Sequence, residues 1–278
     1  MNMIMPHGQG SSALHEGEEL RAGTLSVRLA VGAREVDAAQ ALRYDVFYRE
    51  MGAQADGPTR ASGRDRDAFD AVADHLVVID DAAADRPCGI VATYRLIGGA
   101  AAARAGGFYS AGEFDISSLT ANARNPLELG RSCVHPRYRG GRAMQLMWRG
   151  LAAYVHAREI DVMFGCASFP GTDPDGIADQ LSYLAEAHLA PVALRPRALP
   201  DRFVEMRRRT VPAGEHARIA AGLPPLIKGY LRLGGWVGDG AVIDAAFNTI
   251  DVAIVVQTEL VTRRYLRHYE RDLADAQL

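Results

Sequence analysis

Cysteine is scarce: Cys88, Cys133 and Cys166 are the whole supply in 278 residues. Odd in number, widely spaced and never arranged as Cys-x-x-Cys, they exclude a disulfide framework and a structural zinc site as organising features. A reducing, cytoplasmic protein is expected, with no metal centre and no permanently bound cofactor. Long apolar runs are missing as well. No stretch reaches the roughly 18 apolar residues that crossing a bilayer requires, and a peripheral contact with the inner membrane is compatible with that absence. Charge of one sign is also lacking: 31 basic side chains stand against 34 acidic ones, a formal net charge of -3. Without a basic surplus there is no electrostatic footprint for nucleic acid, and a small-molecule substrate is expected instead. Residues 1–23 carry neither a basic n-region followed by an apolar stretch nor a helical stripe, and read as a disordered leader.

Hydrophobic residues make up 48% and charged residues 23%, the balance of a soluble globular protein. Leu25 to Ala30 alternates like a half-buried strand. From Arg34 to Met51, the spacing of Val36, Ala39, Leu42, Val46, Phe47 and Met51 predicts a helix. Gln54 to Arg66 is polar and reads as a loop. His75–Asp80 and Cys88–Ile97 are apolar, β-branched runs joined by a Pro-bearing turn, which predicts an antiparallel pair. The glycine-rich stretch Gly98 to Gly107 breaks the pattern. Leu127–Val134 comes next as a strand in which Gly130 hints at a bulge. Gly141 to Arg158 reads as a helix burying Met144, Met147, Trp148, Leu151 and Val155. Val162–Phe169 is apolar enough for a central strand, and Asp175–Leu189 supplies another helix. Beyond Pro212 the pattern predicts a short helix opened by proline in Pro224–Gly234, a strand in Asp251–Val261 and a charged helix from Thr262 to Ala274. The alternation of elements predicts an α/β fold, with a leader (1–23), a core (24–210) and an extension packed on it (211–278).

The strongest chemical signal is a strand, a basic turn and a helix in succession, HPRYRGGR running from His135 to Arg142. A helix N-terminus presents unpaired N–H groups and partial positive charge to an anion, so Arg139, Gly140, Gly141 and Arg142 suit a phosphate. A tight surface turn with solvated arginines reads the motif alone equally well. In context, the strand ending in Val134-His135-Pro136 and the Tyr138–Arg142 turn opening a helix resemble the GCN5-related acyltransferases. That resemblance implies a GNAT-like mixed, mostly antiparallel central sheet with splayed central strands, flanked by helices. Leu127–Val134 and Val162–Phe169 would then be adjacent and diverging, with pantetheine between them. Arg142 and Met144 stand where the superfamily usually has glycine or alanine, which favours a donor with one phosphate and no adenosine diphosphate. Acyl carrier protein is therefore expected as partner and donor, ahead of acyl-coenzyme A.

Arg43 and Phe47, Asp67-x-x-Asp70, Arg95 and Glu128-x-x-Arg131 occur in an order similar to that of acyl-homoserine-lactone synthases. A longer likeness, in GFYSAGEFD, ELGRSCVHPRYR, FGCASFPG, LIKGYLRLGGWVGDGAVID and AFNTIDV, resembles the ornithine N-acyltransferases of ornithine-lipid synthesis and covers most of the chain beyond Leu42. It implies transfer of a 3-hydroxyacyl group from acyl carrier protein to the α-amine of L-ornithine. An α-amine has a pKa near 8 and needs a base before it attacks a thioester. Glu128 is the candidate, directly or through one water. Backbone N–H groups of Ser132, Cys133 and Val134 could serve the tetrahedral intermediate. Arg131 suits a carboxylate or acyl oxygen, or a surface ion pair. Asp67 and Asp70 suit ammonium groups, or cap the next element of the chain. Arg43 and Arg95 complete the acceptor set that the resemblance implies. Cys133 and Cys166 lack a histidine partner motif and are read as buried hydrophobes, not nucleophiles. The rivals are a lactone synthase, which the long extension disfavours, a glycine N-acyltransferase, and a non-catalytic carrier-protein or lipid-binding module, which Glu128 disfavours.

Overall fold

The computed structural model describes residues 18–139 and 141–261. Residues 1–17 of the expected leader, Gly140 of the basic turn and the expected Thr262–Ala274 helix lie outside the described residues. In chain order the elements are β1 (Leu20–Ala22), β2 (Leu25–Leu29), α1 (Gly32–Tyr44), α2 (Gly57–Ser62), β3 (Asp74–Asp80), β4 (Ile90–Gly98), α3 (Gly99–Ala105), β5 (Phe114–Asp115), α4 (Ser117–Asn122) and β6 (Pro126–Val134). They continue with α5 (Arg142–Ala157), β7 (Val162–Pro170), α6 (Ala178–Ala187), β8 (Arg197–Ala198), α7 (His216–Gly222), α8 (Pro225–Arg232), β9 (Trp236–Asp244) and β10 (Thr249–Gln257). The chain divides into two compact units, Met1–Gly107 with Leu129–Ile160, and Phe108–Glu128 with Asp161–Leu278.

In the first unit, β1 to β4 form an antiparallel meander, with β6 beside β4. β3 is buried on both faces, as its continuous apolar run demands. Val77 and Ile79 meet Ala38, Ala39, Leu42 and Val46 from α1 and its continuation. Val78, on the opposite face, is registered with Val27, which packs under α5. The α1 stripe ends sooner than its spacing predicts: a π-helical turn, Asp45–Glu50, succeeds it, and Met51 is 42% exposed. α5 buries Ala143, Leu146, Met147, Gly150, Leu151 and Tyr154, whereas Met144 and Trp148 sit half-buried at the edge of that face.

Gly150 marks where α5 approaches the sheet. A Cβ there would lie 2.6 Å from Val27 Cγ2, and Val27 is buried and stiff at χ1. Gly150→Ala gains about 1 kcal/mol of helix propensity but overpacks the contact at a cost of about 1–3 kcal/mol. A net fall in melting temperature is expected, recovered in part by Val27→Ala in the same chain.

Two expected breaks are helical. The predicted loop Gln54–Arg66 contains α2, started by the Asp56 carboxylate accepting the Thr59 N–H at 2.7 Å and ended at Gly63 with φ of 60°. Gly98–Gly107 contains α3, because its alanine run outweighs the flanking glycines.

In the second unit, Pro126–Glu128 of β6 pairs in parallel with Val162–Phe164 of β7. β7 pairs on its other side with β10, antiparallel over nine register pairs, and β9, β8 and β5 come after it. The predicted strand in Asp251–Val261 is thus an inner strand, shifted toward its N-terminus. β9 is an unpredicted strand, hidden by Gly238 and Gly240. Phe114, Ile116 and Leu119 cover Val162, Phe164, Val242 and Val255 on one face of this sheet.

Candidate active site

Glu128 ends the paired segment of β6 and is 2% exposed. The turn Tyr109–Gly112 brings donors to it. The Tyr109 N–H donates to Oε2 at 2.7 Å, the Ser110 N–H donates to Oε1 at 2.6 Å, and the Ser110 hydroxyl also donates to Oε1. These bonds hold the carboxylate in one orientation. Cys166 of β7 lies 3.5 Å from Ser110 Oγ and 3.4 Å from Glu113 Oε2. Burial, then the charge of Glu113, pushes its thiol well above the ordinary value, so it stays protonated. Burial, then the charge of Asp251, raises the Glu113 carboxyl to about 7. A polar track Glu128–Ser110–Cys166–Glu113 therefore runs through the second unit.

A buried ionic network occupies the first unit. Arg43 Nε is 2.7 Å from Asp65 Oδ2, and its two terminal nitrogens donate to Asp70 at 3.0 and 2.7 Å. Arg95 Nη1 donates to Asp67 at 2.6 Å and to Asp70 at 3.2 Å. Arg131 reaches Asp65 and Asp67 at 3.3 and 3.5 Å. Burial alone would raise the Asp70 carboxyl, but hydrogen bonds and charge from Arg43, with the charge of Arg95, hold it well below the usual carboxylate range. Asp67 and Asp70 also form a capping box on the 3₁₀ turn Ala68–Ala71. The bulge expected at Gly130 has its irregularity one residue later. Arg131 has φ of 51°, a strained conformation for a side-chain-bearing residue.

At the basic turn, Gly141 is the N-cap of α5 and no side chain caps the helix. The first-turn N–H groups of such a helix have no intrahelical partner. Arg142 is exposed. The Arg139 guanidinium lies against the Glu50 carboxylate, with Nη2 donating to Oε2 at 2.8 Å.

Residues 42–149 match the acetyltransferase (GNAT) domain family. An L-ornithine N(alpha)-acyltransferase from Agrobacterium fabrum is 44% identical over 96% of this chain and 92% of its own length. One of the same name from Rhizobium meliloti is 46% identical over 91% and 86%. The chain belongs to the L-ornithine N(alpha)-acyltransferase family. Among solved structures, an N-acyl amino acid synthase from uncultured soil microbes aligns with TM-score 0.49 and 11% identity, covering 86% of this chain and 94% of that one.

The acyltransferase gathers Arg43, Asp67, Asp70, Arg95 and Arg131, the expected acceptor-binding residues, into one network of ion pairs. Asp65 belongs with them and went unread, although Asp65-x-Asp67-x-x-Asp70 is a dense acidic signal. Ser110 and Glu113 were missed because nothing in GFYSAGEFD ties a serine and a glutamate to a strand many residues away. Burial pushes the Cys133 thiol up to about 12, unsuited to nucleophilic attack. His75 is buried, with a ring nitrogen 3.2 Å from the Asp70 carbonyl oxygen, and burial holds it neutral. No helix among the described residues of the acyltransferase is long and apolar enough to cross a membrane.

Proposed function

We propose that this acyltransferase moves a 3-hydroxyacyl group from acyl carrier protein to the α-amine of L-ornithine, giving lyso-ornithine lipid. The likeness to the Agrobacterium fabrum protein over 96% of the chain carries the choice of acceptor. The oriented, buried Glu128 supplies the chemistry. In this reading Glu128 takes a proton from the α-ammonium, directly or through one water, and the freed amine attacks the thioester carbon. Backbone N–H groups of Ser132, Cys133 and Val134 stabilise the oxyanion, and collapse expels the phosphopantetheine thiolate, which leaves as the thiol. Of the ionic network, Asp67 and Arg131 have side chains 27% and 14% exposed and meet the acceptor, while the inner Arg43, Asp70 and Arg95 hold them in place. The proposed organisation keeps 24–210 as core and 211–278 as an extension whose strands β9 and β10 enter the same sheet as β7. The carrier-protein donor places the reaction in the cytoplasm, with a peripheral membrane contact to release a lipid product.

The acceptor is tested by offering the purified protein 3-hydroxyacyl carrier protein with ornithine, lysine, glycine or S-adenosylmethionine. Preferential use of ornithine is expected. A cyclic lactone from S-adenosylmethionine, or equal use of glycine, would reject the reading.

The donor's phosphate is assigned to Arg139, Gly140, Gly141 and Arg142 at the start of α5. Arg142→Ala removes an exposed cation without disturbing packing. It should raise KM for the carrier-protein donor about fivefold to thirtyfold, on the order of 1–2 kcal/mol for one charge-assisted contact, with kcat little changed. An unaltered KM, measured in steady-state assays at low salt, would move the phosphate elsewhere.

A further inference from the structure

The sheet of the second unit collects acidic side chains beyond Cys166. Asp251 of β10 is registered opposite Ser168 of β7, and Thr249 opposite Asp244 of β9. Residues two apart on a strand, and residues directly cross-strand, project from one face. Thr249, Asp251 and Asp244 therefore share the face that carries Cys166. Glu113, just ahead of β5, joins them. Carboxylate oxygens of Glu113, Asp244 and Asp251 all lie within 4.8 Å of one another. Glu113 and Asp251 are buried. Thr249 is 4% exposed, and its hydroxyl has no hydrogen-bond partner among the described residues. A buried hydroxyl left unsatisfied costs free energy unless something fills its bonding capacity. Three carboxyls this close repel one another, and a cation among them relieves the repulsion. Arg202 Nη2 lies 3.8 Å from Glu113 Oε1, and Asp244 Oδ1 accepts the Ala246 and Phe247 N–H groups.

We propose that Glu113, Asp244, Asp251 and Thr249 hold the side-chain ammonium of the acceptor and so set the preference for a diamino acid; this rests on ornithine being the acceptor. An ammonium has three N–H donors and accepts nothing, which suits carboxylate oxygens and one hydroxyl oxygen. The polar track connects this cluster to the base. Ser110 bonds Glu128, and Cys166 stands between Ser110 and Glu113. Ornithine's amines stand about 6 Å apart at ordinary bond lengths, and the proposal sets one at the cluster and the other at Glu128. The elevated Glu113 carboxyl fits a site that ionises fully when a cation enters.

The test compares ornithine with norvaline, which has the same carbon chain and no terminal amine. kcat/KM is measured for both in the wild type and in Glu113→Gln, Asp251→Asn, Thr249→Val and Asp244→Asn. Asp244 is only half-buried, so its variant keeps the test alive if a deeper one fails to fold. The ornithine-to-norvaline ratio should fall at least tenfold in the variants, through KM for ornithine. A parallel loss on both acceptors, leaving the ratio intact, would show a structural role and overturn the inference alone. A wild type that ignores ornithine for another acceptor would defeat the functional reading, and the inference with it. Oxygen-rich clusters also take divalent cations. Wild-type activity lost to a chelator and restored by magnesium or manganese, with calorimetric metal binding abolished in Asp251→Asn, would make the cluster a metal site and overturn the ammonium assignment.

Discussion

Glu128→Gln should lower kcat about 10²- to 10³-fold at neutral pH, within the range by which a positioned general base accelerates a reaction. Loss of turnover alone would not establish the role, because the Tyr109 and Ser110 donors surround the carboxylate. Glutamine sets an NH₂ donor against one of those donors, which costs stability by about 1–3 kcal/mol. The pH profile separates the two effects. An α-amine titrates near 8, so raising the pH supplies the deprotonated nucleophile without help. Residual activity of the variant should climb about tenfold per unit up to that value, while the wild type changes less, and the gap should close. Ser110→Ala, which keeps the carboxylate and removes one donor, should lose much less. A deficit in Glu128→Gln that is constant from pH 6 to 9 would show that Glu128 shapes the site without taking the proton.

Asp70→Asn is expected to cost about 3–5 kcal/mol of folding stability at pH 7, the usual effect of removing one partner from a buried ion pair. Asp70 sits between Arg43 and Arg95, all three buried, so neutralising it leaves two guanidinium groups facing a reduced anionic charge. The folded-state carboxyl is held below its unfolded value of about 3.9. Its stabilisation is therefore complete above that value and is lost as the pH falls through the lower folded value. Denaturant unfolding of wild type and variant should show a constant gap from pH 5 to 8 and a narrowing one below pH 4. A cost under about 1 kcal/mol at pH 7 would mean the network is solvated or relaxes around the change.

Those two sites differ in how they could be read from the residues. The strands were legible wherever β-branched runs were bounded by turn residues, as in Asp74–Asp80 and Val162–Pro170. β9 was not, since glycines at 238 and 240 interrupt its apolar pattern to admit Pro196, Phe203 and Ala198 close to the backbone. α5 was found, but its buried face was misplaced by one edge. Gly150 carries no hydrophobicity, yet it is the residue that lets the helix reach Val27. Glu128 was singled out as the candidate base by chemistry and resemblance together. Its setting was not, because Ser110 and Glu113 reach it only through the turn before β5 and a thiol on β7. The network of Arg43, Asp70 and Arg95 showed its members in sequence order, while its closure by Asp65 depends on side-chain reach that spacing does not encode.

The reaction itself is tested most directly by the position of the acyl group on the product. Purified protein is given L-ornithine with 3-hydroxyacyl carrier protein or, separately, the matching acyl-coenzyme A, and the product is fragmented by tandem mass spectrometry. The account predicts a single 3-hydroxyacyl amide on the α-nitrogen, a free side-chain amine, and a higher kcat/KM with the carrier-protein donor. Acylation on the side-chain nitrogen, or no ornithine amide from either donor, would contradict it.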